Sequence, residues 1–85
     1  SKSRWYERPV TPTEVMVVEL FQRVLRMDGS EKIGRNDNFF QLGGHSLVAT
    51  QLVSRIYGLF GIRLTLKTLF EYATVKSLAQ QIEHQ

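Results

Sequence analysis

The second half of the chain contains its clearest amphipathic pattern. Between Ser46 and Phe60, apolar residues recur at positions i, i+3, i+4, i+7 and i+11. This spacing follows the 3.6-residue turn and predicts a helix over about 46–60 with one buried face. Gly58 and Gly61 mark its C-terminal end. The apolar stripe consists of Ala49, Leu52, Val53, Ile56 and Phe60.

A first helix is predicted over about 12–26. Thr11 is a favourable N-cap, and Pro12 suits the first helical position. Glu14 stands three residues after the cap, as in a capping box. The apolar residues that follow keep the helical spacing. They are Val17, Leu20, Phe21, Val24 and Leu25.

The C-terminal part predicts one short helix and one longer helix. An extended link at 62–64 leads into a helix over about 65–72, and Thr74 caps the last helix. Together the elements predict an all-α fold, a small bundle of three main helices plus one short helix. The side chains expected to point inward are Leu66, Leu69 and Phe70 in the short helix, and Val75, Leu78, Ala79 and Ile82 in the last.

A long connection over 27–45 separates the first two helices. Glycine, asparagine and aspartate residues between Gly29 and Asn38 interrupt regular structure there. Connections of this length usually carry function or contain a short element. We expect Asp37 to cap a single turn through Phe39-Phe40. The apolar residues expected to attach the loop to the core are Ile33, Phe39, Phe40 and Leu42.

The length of 85 residues allows one small domain and is too short for an enzyme with its own substrate pocket. No stretch approaches the ~20 apolar residues of a membrane span, and no N-terminal signal is evident, so no membrane partner is expected. The absence of cysteine excludes disulfides and thiolate metal sites. It fits a reducing compartment, and we expect the protein to be cytoplasmic.

The net charge of +3 is concentrated near the N-terminus. Residues 1–10 hold three basic side chains and one acidic, whereas residues 11–85 hold eight basic and seven acidic. The nearly neutral remainder shows no evident basic face that would neutralise nucleic-acid phosphates. Residues 1–10, with Pro9 and no apolar period, are predicted to be a linker. Trp5 and Tyr6 either dock on a neighbouring domain or, as we favour, belong to a mobile tail.

The most distinctive motif precedes the second helix. Asp37-Asn38-Phe39-Phe40-Gln41-Leu42 runs into Gly43-Gly44-His45-Ser46-Leu47. This run closely resembles the attachment motif of peptidyl carrier proteins, the thiolation domains of nonribosomal peptide synthetases. The resemblance extends from about Pro12 to Ile82. It implies an acyl-carrier-like carrier domain over residues 11–85, preceded by the linker.

The resemblance implies a role for Ser46. In that family the serine carries a 4′-phosphopantetheine arm, which a separate phosphopantetheinyl transferase takes from coenzyme A. The thiol of the arm carries an amino acid or peptide as a thioester and presents it to adenylation, condensation and thioesterase domains. The resemblance therefore implies a monomeric, non-catalytic carrier domain.

From the residues alone, Ser46 also has a plain explanation as the N-cap of the second helix. The adjacent glycines and the preceding Asp37-Asn38-Phe39-Phe40 are not needed for a cap. A helix start favours a phosphodiester, because free N–H groups and the positive end of the helix dipole lie there. Gly43 and Gly44 remove side-chain bulk around the hydroxyl, which lets another protein approach.

His45 invites a catalytic interpretation beside Ser46. We do not adopt it, because the chain offers no convincing third member of a triad. His84 is the only other histidine, so a metal site is equally weak. In the resembling family, a histidine before the serine is typical of carriers that feed a condensation or thioesterase domain. Carriers paired with an epimerase tend to have aspartate there.

The expected partner surface is the uncharged outer face of the second helix. Leu47 points away from the core stripe, with Val48 on its flank and Gln51 one turn further. The alternative for Leu47 is packing beneath the 27–45 loop. Arg55 is the only charged residue of this helix, unlike the acidic second helix of fatty-acid acyl carriers. Apolar and polar contacts should therefore dominate recognition.

Two other classes of protein stay open. A helical nucleic-acid-binding module would have to use the second helix, which offers only Gln51 and Arg55 as base or phosphate contacts. A stand-alone interaction domain would use Ser46 only as a cap. Modification by a transferase in the presence of coenzyme A separates all three classes.

Overall fold

The computed structural model describes residues 5–85, and it confirms the all-α class. Extended pairing over this range is limited to one isolated bridge between Asn38 and Thr74. No helix in the same range has the length and apolarity that crossing a membrane requires. The four helices of the described residues are α1 (Pro12–Val24), α2 (Ser46–Phe60), α3 (Leu66–Glu71) and α4 (Val75–Glu83).

The helix boundaries follow from the caps. Thr11 accepts a hydrogen bond from the Glu14 N–H at 3.1 Å, with Pro12 at the first helical position. α2 begins and ends at the predicted residues, and Gly61 closes it with a left-handed φ of 70°. α1 ends two residues before its predicted end, since Arg26 adopts a left-handed φ of 56°.

The core forms where the helices meet. α1 packs against both α2 and α4, and α3 packs against α2. Leu52 is fully buried on the inner face of α2, whereas Val53 and Phe60 are partly buried and pack against the core. The apolar faces predicted for α1, α2 and α4 are therefore confirmed in their central positions. The buried apolar residues of these helices are Val17, Leu20, Phe21, Val24, Ala49, Leu52, Ile56, Val75, Leu78, Ala79 and Ile82.

The face predicted for α3 is wrong at two of its three positions. Only Leu69 is buried, whereas Leu66 and Phe70 are exposed, Phe70 by 52%. A helix of six residues makes less than two turns, so it presents little more than one residue to the core. The Phe70 ring stacks instead on Phe40 of the long loop, with ring centroids 4.6 Å apart.

The long loop is fastened to the core and to α4. The buried Phe39 ring meets Phe21 edge-on, with centroids 5.0 Å apart. The Phe39 N–H donates to the Ala73 carbonyl at 2.9 Å, and the Lys76 N–H donates to the Arg35 carbonyl at 2.8 Å. The predicted attachment of the loop is confirmed. Its residues packed in or against the core include Ile33, Phe39, Phe40 and Leu42.

The turn through Phe39-Phe40 has a different cap from the one predicted. Asn38 provides it, because its side-chain oxygen accepts a hydrogen bond from the Phe40 N–H at 2.8 Å. Asp37 is buried, and its carboxylate accepts one from the Gly34 N–H at 2.7 Å. Both side chains are short acceptors that bond nearby backbone amides, so the sequence does not distinguish their roles.

The predicted linker over 1–10 lies partly outside the described residues, and Lys2 and Arg4 belong to that part. Further along, the Glu7 carbonyl accepts a backbone hydrogen bond from the long loop at 2.8 Å. Gly34 permits this approach, since a Cβ there would lie 2.6 Å from the same carbonyl oxygen. The segment before α1 is therefore held against the loop at this point.

Tyr6 and Trp5 have different surroundings. The Nζ atom of Lys32 lies 5.5 Å from the centroid of the Tyr6 ring, a cation–π contact. Trp5 is 75% exposed. Tyr6 and Glu7 therefore contact the long loop, and the mobile tail stays a prediction. Docking of Trp5 on a neighbouring domain stays a prediction.

Candidate functional site

Two glycines shape the approach to α2. Gly43 has a φ of 114°, a conformation that favours glycine. Gly44 passes directly against Phe39, since a Cβ there would lie 2.4 Å from the Cε2 atom of the ring. The Gly44 N–H donates to the Phe39 carbonyl at 3.0 Å. The glycine pair therefore lets the chain turn back over a buried aromatic ring and enter α2.

Ser46 is the first residue of α2 and not its cap. The N-cap is His45, which is extended with a φ of −146° and a ψ of −179°. The interpretation of Ser46 as an N-cap is therefore wrong. Ser46 is exposed, and its hydroxyl has no hydrogen-bond partner among the described residues. The hydroxyl is thus available to another molecule.

The amide groups at the start of α2 lack a side-chain partner. The other three helices each begin at a threonine whose side chain accepts a hydrogen bond from the first turn. His45 makes no such bond, and the first turn of α2 contains no acidic residue. Backbone N–H groups and the positive end of the helix dipole therefore lie beside the Ser46 hydroxyl. These groups fit a phosphate ester at that oxygen.

Neither histidine completes a catalytic or metal site in the part of the chain that the structure describes. His45 is exposed, and no hydrogen bond joins its ring to Ser46. His84 lies at the opposite end of the chain, after α4. Residues 5–85 contain no group of three or more potential metal ligands. Among the described residues, no histidine is hydrogen-bonded to the Ser46 hydroxyl.

The outer face of α2 carries the residues predicted for partner binding. The Leu47 residue is 66% exposed, so the alternative of packing beneath the loop is wrong. Val48 is partly buried against the core, and Gln51 is exposed. All three follow Ser46 within the first two turns of α2, and their contact with a partner stays a prediction.

An aromatic pair lies beside the glycine turn that leads into α2, and the sequence did not indicate it. Phe40 stacks on the exposed Phe70, and the Gly43 N–H donates to the Phe40 carbonyl at 3.2 Å. Periodicity had placed Phe70 inward. The available signal was the length of α3, which is too short to bury two neighbouring residues. Exposed apolar groups such as the Phe70 ring are typical of surfaces that partners contact.

Comparison with known proteins identifies the family. Residues 16–82 match the family model described as "Phosphopantetheine attachment site". One component of the linear gramicidin synthase of Brevibacillus parabrevis is 50% identical over 78 residues, which are 92% of this chain and 2% of that protein. Gramicidin S synthase 2 of Brevibacillus brevis is 43% identical over 83 residues, which are 98% of this chain and 2% of that protein. The chain thus spans about 2% of the length of these relatives.

Solved structures agree with this result. One shows the phosphopantetheine transferase Sfp in complex with coenzyme A and a peptidyl carrier protein. The matching chain is 38% identical with a TM-score of 0.86, and the match covers 94% of this chain and all of that one. An active-site mutant of a peptidyl carrier protein is 36% identical with a TM-score of 0.86, over 96% and 88% of the two chains.

This chain therefore belongs to the phosphopantetheine attachment family. Within it, the chain is a peptidyl carrier domain, also called a thiolation domain, of a nonribosomal peptide synthetase. Such a domain is non-catalytic, and its cofactor is 4′-phosphopantetheine. The acyl-carrier-like fold implied by the motif is confirmed.

Proposed function

We propose that Ser46 is the residue to which the 4′-phosphopantetheine arm is attached. The observation that carries the proposal is the exposed Ser46 hydroxyl at the first residue of α2, without a hydrogen-bond partner among the described residues. Gly43 and Gly44 bring no side chain to it, so a second protein reaches the oxygen. The uncapped amides of α2 stabilise the negative charge of a phosphodiester.

The resulting function is carriage of aminoacyl or peptidyl groups. The bound arm supplies the thiol that holds these groups as thioesters, and the chain itself has no cysteine. The contribution of the protein is to fix the arm in place and keep its load at a high effective concentration near catalytic domains. A carrier that holds groups without catalysing their transfer is consistent with Ser46 having no base beside it.

The proposed partners are a phosphopantetheinyl transferase and the adenylation, condensation and thioesterase domains of the same synthetase. The transferase takes the arm from coenzyme A. One similar protein is seen with the transferase Sfp and coenzyme A, and another is part of a four-domain synthetase bound to AMP and glycine. His45 favours partnership with a condensation or thioesterase domain, as the family tendency implies. Leu47, Val48 and Gln51 form the contact surface.

The extent and location of the domain are part of the proposal. The carrier domain covers residues 11–85 and acts as a monomeric unit, with residues 1–10 as the linker that precedes it. The contacts of Tyr6 and Glu7 with the long loop support a linker whose end lies against the domain. We place the protein in the cytoplasm, where a reducing environment keeps a thiol arm reactive.

Intact-mass spectrometry tests the attachment. With coenzyme A and a promiscuous phosphopantetheinyl transferase, the wild-type chain should gain the mass of one phosphopantetheine, and Ser46→Ala should gain none. Ser54→Ala removes another exposed serine of α2 and should be modified like the wild type. Ser46 caps no helix, so circular dichroism should show that Ser46→Ala keeps its helicity. Modification of Ser46→Ala would exclude this residue as the site.

A further inference from the structure

A groove beside α2 gathers three arginines. Arg23 in the last turn of α1 and Arg26 just after that helix line it together with Arg55 of α2. Arg55 lies far along the chain from the other two, so the packing of α1 on α2 creates the cluster. The uncharged outer face expected for α2 is therefore bordered by a basic margin. The polar residues that α2 contributes to the groove are Thr50, Gln51 and Ser54.

The positive charge of this arginine groove is not neutralised. No carboxylate lines it. Within the described part of the chain the ion pair is that of Glu14 with Arg35, so none of the three guanidinium groups is paired there. Glu19 lines an adjoining groove together with Arg23 and Arg55, without coming within ion-pair distance of either. Three arginines beside one carboxylate leave a positive area on an otherwise nearly neutral domain.

The arginine groove is continuous with the Ser46 end of α2. Thr50 lies one turn after Ser46, and its hydroxyl donates to the Ser46 carbonyl at 3.0 Å. Arg55 lies nine residues after Ser46, about 13 Å along the helix axis. A phosphate attached at Ser46 therefore stays away from Arg55. The arginine groove is therefore available to an acidic group of a partner protein.

We propose that the arginine groove binds an acidic segment of the adenylation domain that loads the arm. This proposal rests on the attachment at Ser46. The guanidinium fork matches a carboxylate with two parallel hydrogen bonds, so two or three Asp or Glu residues on one segment complement three arginines in one groove. A loading domain must distinguish its own carrier from others, and charge complementarity supplies that kind of specificity. A promiscuous transferase has no such need.

A nucleic acid matches the arginine groove less well. Duplex DNA carries a negative charge every ~1.7 Å along its axis, so it is bound by extended basic surfaces. Here the basic area consists of three arginines, two of which also line the adjoining groove with Glu19, and residues 11–85 carry eight basic and seven acidic side chains in total. A short acidic protein segment fits this limited area.

Loading kinetics test the proposal. The Arg23→Gln/Arg55→Gln variant, once pantetheinylated, is titrated against the adenylation domain of its synthetase. The KM for the carrier should rise about three- to tenfold with little change in kcat, because exposed charges act mainly on encounter. Added salt should bring the wild-type KM towards that of the variant. Lys67→Gln removes an exposed charge from α3 and should load like the wild type.

Pantetheinylation separates this proposal from the attachment at Ser46. The promiscuous transferase should modify Arg23→Gln/Arg55→Gln at the wild-type rate. Equal loading KM values for wild type and double variant would overturn the groove proposal and leave Ser46 untouched. A parallel fall in pantetheinylation, with helicity unchanged, would make the groove a general docking site and overturn the assignment to the loading domain.

Crosslinking locates the acidic segment. Arg55→Lys keeps the charge and places an amine in the groove, which a carbodiimide should couple to a carboxylate of the adenylation domain. Mass spectrometry should find the coupled Asp and Glu residues on one segment. Crosslinks scattered over that domain would contradict the proposal. Binding of duplex DNA by the wild type at physiological salt, lost in Arg23→Gln/Arg55→Gln, would make this a nucleic-acid site and overturn the proposal as well.

Discussion

The carboxylate of Glu14 accepts two hydrogen bonds from the guanidinium of Arg35, at 2.7 and 3.0 Å. Glu14 belongs to the first turn of α1 and is only 2% exposed, whereas Arg35 belongs to the long loop. The Val10 N–H donates to the same carboxylate at 2.9 Å. One side chain therefore joins the segment before α1, the start of α1 and the loop that leads to Ser46.

Acid should weaken the fold through this pair. The hydrogen bonds from Arg35 hold the pKa of the Glu14 carboxyl below its ordinary value of 4.5. The unfolded chain therefore binds this proton more tightly, so the contribution of the pair to stability is fully present above about pH 5. It is lost as the pH falls through the lower pKa of the folded state.

The Glu14→Gln variant tests this pH dependence. It should be less stable than the wild type at neutral pH, and the difference in melting temperature should shrink as the pH falls below about 5. Glu19→Gln, on an exposed position of α1, should lose stability in acid as the wild type does. A constant difference between Glu14→Gln and the wild type over this range would show that the pair does not titrate in this way.

Gly44→Ala should destabilise the domain and disturb the entry to α2. The added methyl group would lie 2.4 Å from the Phe39 ring, which is buried and cannot move aside cheaply. We expect a loss of ~1–3 kcal/mol, as for overpacking. Gly58→Ala is the control, because a methyl group there meets nothing within 4 Å and should stabilise α2 by ~0.5–1 kcal/mol. Urea unfolding of both variants checks that the free energy of unfolding falls for Gly44→Ala and rises for Gly58→Ala. Equal changes in the two variants would contradict the close approach of Gly44 to the Phe39 ring.

Leu52→Ala should cost ~2–5 kcal/mol in the free energy of unfolding. The side chain is fully buried on the inner face of α2, so its removal leaves a cavity. That loss is a large share of the stability of a small domain. Gln51→Ala changes the neighbouring exposed residue and should leave urea unfolding nearly unchanged. An unaltered midpoint for Leu52→Ala would show that the inner face of α2 is assigned wrongly.

Leu47→Asp should leave helicity intact and sharply slow both pantetheinylation and acyl loading. The side chain is exposed beside Ser46, so the new charge falls on the proposed partner surface and not in the core. Leu59→Asp introduces the same charge at an exposed position near the far end of α2 and should be modified at the wild-type rate. Wild-type kinetics for Leu47→Asp would remove this residue from the interface.

Periodicity predicted α2 to the residue and the buried stripe of α4, since a long amphipathic helix has one face that must be covered. It failed for Leu66 and Phe70, because a helix of six residues has no room for a full stripe. It also missed the binding of Glu14 by Arg35. An ion pair between distant segments follows from packing and leaves no local pattern.

The structural position of Ser46 was predicted only in part. The motif around Ser46 indicated the residue and its helix start, but local propensity assigned it the role of cap that His45 occupies. Serine is a common cap, and only the path of the glycine pair over Phe39 places it one position further on. The arginine groove needed the fold, because Arg55 meets the other two arginines only through the packing of α1 on α2.

The backbone hydrogen bonds between the long loop and the region of α4 bear on how a carried aminoacyl or peptidyl group can move. Phe39 is hydrogen-bonded to Ala73 and Arg35 to Lys76, so the loop that leads to Ser46 is joined to the start of α4 and to a residue between α3 and α4. With the arm on Ser46, as proposed, successive partners contact the same surface around the attachment point. In that arrangement, reach comes from rotation about the bonds of the arm and from movement of the whole domain. The distance that the carried group can cover is then determined by the arm and by movement of the domain as a whole, and not by motion within the folded domain.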